Sequence, residues 1–353
     1  MAGRDVAVVA FAQTDHQRRV LDANEVELIQ PAIHAAFGQI GATIADIDFT
    51  CSGSSDYLAG QAFSFVMTLD AVGAWPPIVE SHVEMDGAWA LYEAWVKIQT
   101  GQADTALVYG YSKASPGDLP RVLSRQMDPY YYGPLWPDSV AVAGLQATAM
   151  LEAGKITPRE MAEIAYRNRE AARSNPHAQV VGSPPPEELL AQPYLSAPLR
   201  RHDCPPISDG GAAVILAAGD RARAWRERPA WIRGIDHRVD SHNLGARDLT
   251  VAPSIAIAAD RAGVSADRID VAEVYAPFTH QEKIVVTELG LSPDVEVNPS
   301  GGALAANPIM GAGLIRIGEV ASRIWSGSVD RGVAHATAGH CLQQNLVCVL
   351  EGA

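Results

Sequence analysis

An α/β fold in which one structural pattern is written twice is what this sequence predicts. Pro31, Ile33, Gly41 and the pair Ile47-Asp48 recur as Pro253, Ile255, Gly263 and Ile269-Asp270, at a constant offset of 253 − 31 = 263 − 41 = 270 − 48 = 222. Each copy reads as a helix, a glycine stop, and an Ile-Asp pair leading into a strand. The two halves also close on the same kind of apolar run, Ala212 to Leu216 and Leu346 to Leu350. Strands and helices in alternation imply stacked layers.

The elements follow in order. Val6 to Phe11 is an apolar strand, and Phe49 to Ser52 is the strand after the first copy of the repeat. Gly87 opens a helix from Ala88 to Gln99, whose apolar residues crowd more than one face and so predict burial. Gly101 is its stop, and Thr105 to Gly110 is a short buried strand ended by glycine. Residues from about 115 to 200 break the repeat. They carry Tyr130-Tyr131-Tyr132, helices at Ser139–Glu152 and Pro158–Arg173, and a Pro184-Pro185-Pro186 turn. An insertion of that length is expected to cover a substrate pocket, and the tyrosine run is a candidate for its wall or for an interface. In the second half, Val271 to Tyr275 matches the first repeat's strand, and Gly311-Ala312-Gly313 opens a helix through Ile324. Two units are expected, 1–220 with the insertion and 221–353.

The 353 residues are 48% hydrophobic and 19% charged, enough to build a large core, and the formal charge is −14. An acidic chain lacks the basic footprint of a nucleic-acid binder. An anionic ligand would need local arginines or lysines, with Lys113, Arg200 and Arg201 as candidates. The four cysteines, Cys51, Cys204, Cys341 and Cys348, form no C-x-x-C pair, so neither a zinc site nor a redox pair is expected. Reduced thiols in the cytoplasm are the expectation. The strand-like start predicts no signal peptide, and no stretch reaches the ~20 apolar residues of a membrane span.

Several strings then resemble the thiolase superfamily. Gly101-Gln102-Ala103-Asp104-Thr105-Ala106-Leu107-Val108 is similar to its G-x-A-D-x-A-L-V. Ser208-Asp209-Gly210-Gly211-Ala212-Ala213 resembles its D-G-A-A-A, and Asn298-Pro299-Ser300-Gly301-Gly302 its N-P-x-G-G. The resemblance spans nearly the whole chain and implies a thiolase-like duplicated α/β/α/β/α layered fold. Counted without gaps, the family's nucleophile tetrad C-A-S-G falls on Glu84-Met85-Asp86-Gly87. Its H/N-x-x-F falls on Tyr275-Ala276-Pro277-Phe278, its G-H-P-I-G on Ala306-Asn307-Pro308-Ile309-Met310, and its C-I-G-G on Ala336-Thr337-Ala338-Gly339. The reacting cysteines and histidines of the family are therefore absent.

A carboxylate makes a poor acyl carrier, because an anhydride hydrolyses readily, so the covalent Claisen route is disfavoured. The sequence is similar to sterol-carrier-type and lipid-transfer-type members, among them the thiolase-like subunits of bacterial steroid side-chain-cleaving aldolases. In that group a tyrosine stands at the H/N position, here Tyr275, and a second tyrosine stands where this chain has Asn307. The resemblance implies retro-aldol cleavage of a β-hydroxyacyl-CoA, with no cofactor beyond the coenzyme A of the substrate and no metal. Tyr275 is expected to carry a proton, with its pKa lowered or its proton shared. Glu84 is expected as base or to orient a water, Asn307 as donor to the thioester oxygen, and His335 or His340 to tune the tyrosine or donate to an oxyanion. Gly301, Gly302 and His280 are expected to bind substrate. The resemblance also implies a homodimer and a small partner bearing an OB-fold and a zinc ribbon. Two other readings remain: acyl transfer through an offset cysteine such as Cys341, and a non-catalytic subunit of a larger complex.

Overall fold

The repeat becomes two half-sheets of matching strand order. The computed structural model describes residues 3–352. Its first half runs β1 (Val6–Gln13), α1 (Glu25–Ile40), β2 (Phe49–Gly53), α2 (Asp56–Ala59), α3 (Ser64–Val72), β3 (Glu80–Val83), α4 (Gly87–Gln99) and β4 (Thr105–Ser112). The insert follows with α5 (Leu119–Leu123), α6 (Ser139–Glu152), α7 (Pro158–Ala171), α8 (Pro186–Leu190) and the hairpin β5 (Tyr194–Ser196) and β6 (Leu199–Arg200). Strand β7 (Gly210–Ala218) then closes the half. The second half runs α9 (Gly219–Trp225), β8 (Ala230–Val239), α10 (Pro253–Ala262), β9 (Val271–Val274), α11 (Thr279–Glu288), β10 (Glu296–Val297), α12 (Gly302–Ala305), α13 (Ala312–Trp325), β11 (Arg331–Ala338) and β12 (Gln344–Glu351).

The sheet order is β10-β9-β11-β12-β8-β1-β7-β4-β2-β3. Read outward from the β1–β8 seam, both halves have the same arrangement. The seam is antiparallel, with Ala7 opposite Trp231 and Val8 opposite Ala230. Strand alternation assigns the layers. Val108 and Val214 turn inward onto Leu91 and Ile98 of α4 and onto Leu314 and Ile317 of α13. Their neighbours Leu107 and Ile215 turn outward onto Ile29 and Ile33 of α1. In the second half Val333, Val347 and Val349 turn outward onto Ile255 of α10 and Ile284 of α11. Helices α4 and α13 are thus the shared middle layer, and the expected α/β/α/β/α stack is present.

The repeated Ile-Asp has a concrete task. The Asp48 carboxylate accepts the N–H groups of Asp104 (2.8 Å) and Thr105 (3.1 Å), holding the start of β4. Asp270 does the same for Asp330 (3.0 Å) and Arg331 (3.1 Å) at the start of β11. The repeated prolines are less alike. Pro253 opens α10, whereas Pro31 lies inside α1, which begins earlier because Asn24 and Glu27 form a capping box. The strand expected to reach Tyr275 ends at Val274, although the Tyr275 N–H still donates to the His335 carbonyl (3.0 Å).

Helices α4 and α13 meet at their N-terminal ends, and glycine makes this possible. The Gly87 N–H donates to the Met310 carbonyl at 2.8 Å. A Cβ on Gly110 would lie 2.4 Å from that same carbonyl oxygen, with backbone rather than a flexible side chain as its obstacle. Gly110→Ala is therefore expected to destabilise the fold by ~1–3 kcal/mol through overpacking, measured by denaturant unfolding. An unchanged midpoint would show that the two helices have slack at this point.

The insert belongs to the first half in sequence and lies over the second half in space. Ala143, Ala147 and Met150 of α6 pack with Ile255 and Ala259 of α10. Glu282 of α11 accepts from Asn168 (2.6 Å) on α7 and Asn298 (2.9 Å), and pairs with Arg167. No described helix is long and apolar enough to cross a membrane.

Candidate active site

A cavity of about 510 Å³ lies between the insert and the meeting point of α4 and α13. Its apolar wall comes largely from the insert, including Leu119, Leu123, Val140, Val142 and Val180. Its polar lining includes Tyr57, Asp86, Gln126, Tyr275, Asn307 and His340, while Arg18, Arg169 and Arg201 supply positive charge.

Asp86 is the N-cap of α4, set there because Gly87 opens the helix behind it. Its Oδ1 accepts from the N–H groups of Ala88 (2.8 Å) and Leu314 (3.1 Å), and its Oδ2 accepts from Gly313 (2.9 Å). Two helix N-termini therefore converge on one carboxylate, each contributing its positive end. The side chain is only 1% exposed. Burial outweighs the hydrogen bonds and nearby Arg316 and pushes its pKa up to about 6. At Gly313 a Cβ would come within 2.6 Å of Oδ1, so only glycine lets α13 come this close.

Tyr275 follows β9, and its ring packs against Ala303 and Ala312. Burial raises the phenol pKa well above its ordinary value, the charge of Asp86 raises it further, and Arg316 offsets part of the rise. The sequence-based expectation of a lowered pKa is thus corrected: the group is held protonated at neutral pH, because the wall around it is apolar and its charged neighbour is an anion. Arg316 is itself buried, paired with Glu273 (2.8 Å) and Ser300 (2.7 Å). Asn307 also reaches the cavity. Its N–H donates to the Ser208 hydroxyl (2.9 Å), and its side-chain oxygen is buried with no partner among the described residues.

Of the other expected site residues, His340 lines the cavity and the rest lie elsewhere. Glu84 does not line the cavity; its Oε1 accepts from the Asp56 N–H (2.7 Å) and the Ser55 hydroxyl (3.0 Å), holding the start of α2, and Oε2 faces His82 (3.4 Å). The carboxylate facing Tyr275's cavity is Asp86, two residues on. The turn before α4 leaves Glu84 exposed and carries Asp86 inward. The readable signal was an Asp directly before a helix that opens on Gly, which is a capping pattern.

His335 points to the outer layer, where its Nε2 pairs with Asn345 (3.0 Å); strand alternation separates it from Ala334 and Ala336 on the inner face. His280 is buried on α11 against Gln146 (3.3 Å), away from the cavity, and burial pushes its pKa down to about 3. Gly301 and Gly302 form a left-handed turn (φ +96° and +59°), closely packed by Ala172, Ala305 and Asn298, and do not line the cavity either. His340 does, with its pKa pushed down to about 4 mainly by burial, so it is neutral at physiological pH.

Arg201 lines the cavity, whereas Arg200 is spent on the Gln192 carbonyl (3.0 Å) and on stacking over Tyr194 (4.3 Å). Tyr130 and Tyr131 are exposed, and Tyr132 bonds to Asn243 (2.8 Å), so the tyrosine run is not a cavity wall. Cys204 and Cys341 do line it, but burial pushes both thiols up to about 12. Tyr57 was not signalled by any motif, since it enters from a single-turn helix far in sequence from the other lining residues. Among the described residues, no group of three or more His, Cys, Asp or Glu is placed to hold a metal ion.

No protein-family model matches the chain. The acetyl-CoA acetyltransferase of Methanothermobacter thermautotrophicus is 27% identical over 368 residues, with 95% of each chain covered. Sterol carrier protein 2 of Gallus gallus is 25% identical over 301 residues, covering 74% of this chain and 54% of that protein. The solved structure of the Ltp2-ChsH2(DUF35) aldolase shares the fold, with a TM-score of 0.79 at 20% identity over 99% of this chain and 98% of that one. A duplicated five-layer architecture, end-to-end similarity to a thiolase, and motifs in register at both halves lead to one conclusion: along its whole length the chain is similar in sequence and in fold to the thiolase superfamily.

Proposed function

We propose that the protein is an acyl-CoA carbon–carbon lyase that cleaves a bulky β-hydroxyacyl-CoA, of the steroid side-chain type, by a retro-aldol reaction. One observation carries the reading: an ionisable carboxylate, Asp86, and a phenol held protonated, Tyr275, line one apolar cavity that offers no activated thiol. Above pH ~6 Asp86 is a base and Tyr275 is an acid, the pairing that cleavage requires. Asp86 takes the β-hydroxyl proton. The Cα–Cβ bond breaks as the carbonyl of the ketone or aldehyde product forms, and the electron pair moves into a thioester enolate. Tyr275 protonates Cα, and the proton on Asp86 then returns to the phenolate. Atoms and charge balance, and no acyl-enzyme forms. Asn307 donates its amide to the thioester oxygen as negative charge grows there.

The largely apolar wall suits a bulky hydrocarbon acyl group, and Arg18, Arg169 and Arg201 suit an anionic carrier on a chain of net negative charge. A homodimer and a small OB-fold and zinc-ribbon partner are part of the proposal, as the family resemblance implies, and the solved aldolase whose fold this chain shares is an Ltp2-ChsH2(DUF35) assembly. The test is incubation with a steroid-derived β-hydroxyacyl-CoA, with and without such a partner, followed by mass analysis of both products. Cleavage supports the lyase. Acyl-CoA binding without turnover under every condition would favour a non-catalytic subunit.

Acyl transfer through Cys341 is the weaker reading. Its thiol is buried, pushed up to about 12, and directed at the Val142 carbonyl (3.7 Å), the reverse of an activated nucleophile. Cys341→Ala is expected to leave kcat within about twofold of the parent. A complete loss, with an acyl-enzyme trapped on the parent protein, would restore the transferase.

A further inference from the structure

We propose that Tyr57 is a second catalytic phenol, donating its O–H to the thioester oxygen of the bound acyl-CoA alongside Asn307. The inference rests on the lyase reading and adds a residue that no motif marks.

Tyr57 sits on α2, a single turn clamped at both ends. At its start, Glu84 Oε1 accepts the Asp56 N–H (2.7 Å) and the Ser55 hydroxyl (3.0 Å). Beyond it, the Asp56 carboxylate accepts from the N–H groups of Phe63 (2.8 Å) and Ser64 (2.9 Å), tying the turn to α3. A phenol on so short a helix would otherwise wander. Here the backbone that carries it is held on two sides, and Glu84 finds its use in the clamp.

The phenol is half-buried and lines the cavity, and its oxygen accepts from Gln126 Nε2 of the insert. That bond occupies a lone pair and leaves the O–H as the group to be given away. Burial and the charge of Glu84 push the phenol up to about 12, with Ser55 and Gln126 offsetting part of the rise, so at neutral pH it is a donor and not a base. Tyr57 and Tyr275 line the same cavity.

Tyr57 and Asn307 line the same cavity as Asp86 and Tyr275. With the β-oxygen at Asp86 and Cα at Tyr275, the reacting atom left to be met is the thioester oxygen, and Tyr57 and Asn307 are the neutral donors assigned to it. Two donors on that oxygen make an oxyanion hole, and each is needed because the enolate's charge gathers there in a cavity of low polarity. The Tyr57 proton is donated as a hydrogen bond and stays on the phenol.

A merely structural Tyr57 would pin the insert to α2 through Gln126, and two readouts separate the roles. In kinetics on a β-hydroxyacyl-CoA, Tyr57→Phe is expected to lower kcat by ~10²–10³-fold with KM little changed, because the contact strengthens as the enolate forms. A rise in KM alone would overturn the proposal. The second readout needs no turnover. Acetyl-CoA labelled with carbon-13 at its carbonyl is bound to the intact protein and its carbonyl stretch followed by infrared difference spectroscopy. The stretch is expected to lie at lower frequency in the parent than in Tyr57→Phe, with a smaller difference for Asn307→Ala. Identical stretches in parent and Tyr57→Phe would remove Tyr57 from the oxygen even if cleavage is established. A parent that shows the carbonyl shift but cleaves nothing would keep Tyr57 at the oxygen and sink only the lyase. Failure to bind acetyl-CoA at all would overturn both.

Discussion

Tyr275→Phe is expected to lower kcat for cleavage of a β-hydroxyacyl-CoA by ~10²–10⁴-fold, the span of a lost general acid. Because the proposed role of the phenol is at the enolate carbon, kcat and kcat/KM are expected to fall together, leaving substrate binding intact. The protein itself should tolerate the change. Among the described residues the Tyr275 hydroxyl has no hydrogen-bond partner, and its ring packs against Ala303 and Ala312, which Phe preserves. Stability is therefore expected to stay within ~1 kcal/mol of the parent, because no group is left unpaired. Steady-state kinetics and a urea melt on the same preparation check both halves. Near-normal turnover would remove Tyr275 from the reaction, whereas a large loss of stability would give it a structural role.

Asp86→Asn is expected to abolish turnover on a similar scale, ~10²–10⁴-fold, while making the fold less sensitive to pH. In the parent, kcat/KM should fall as the pH drops through about 6, where Asp86 takes up its proton. The stability effect has the opposite sense. The folded-state pKa lies above the ordinary carboxylate value of 3.8, so the native state holds this proton more tightly than the unfolded chain does. The resulting stabilisation is complete below about pH 4 and is lost as the pH rises through about 6. Roughly two pKa units correspond to about 3 kcal/mol.

The asparagine carries no charge to bury. Its oxygen still accepts from Ala88 and Leu314, but its NH₂ meets the Gly313 N–H, a mismatch costing about 1–3 kcal/mol. Relative to the parent, the variant should gain up to about 3 kcal/mol between about pH 4 and about pH 7.5, so that the two have similar stability near neutrality. Urea melts across that range give the difference directly. A difference that does not change with pH would mean that Asp86 is not the buried titrating group.

The contrast between exposed Glu84 and buried Asp86 shows why some of the site was legible and some was not. The motif count reached the turn before α4, which enters the cavity through Asp86, because the strings around Gly101 and Asn298 hold their spacing along the chain. It chose Glu84 over Asp86 because a gapless count cannot tell which residue of a tight turn faces inward. That is decided by the N-cap geometry of α4 and by the N-terminus of α13, which begins 226 residues after Asp86. His335 and His280 failed for a related reason. Both have the right chemistry, but on a strand and a helix whose other faces line the core, a side chain's direction follows the packing of the layer beneath it. Tyr57 was invisible because no spacing rule connects a single-turn helix near the start of the chain with Asp86, Tyr275 and Gln126.

What the amino-acid sequence determined by itself is the architecture. A repeat every 222 residues, with glycine stops and Ile-Asp pairs, is local information, and it prescribes two half-sheets of the same order because each copy folds by the same capping and alternation rules. The chemistry was decided only in three dimensions. The pKa values of Asp86 and Tyr275 are set by desolvation and by charges from the far half of the chain. Those distances exist only after α4 and α13 have met end to end under the insert.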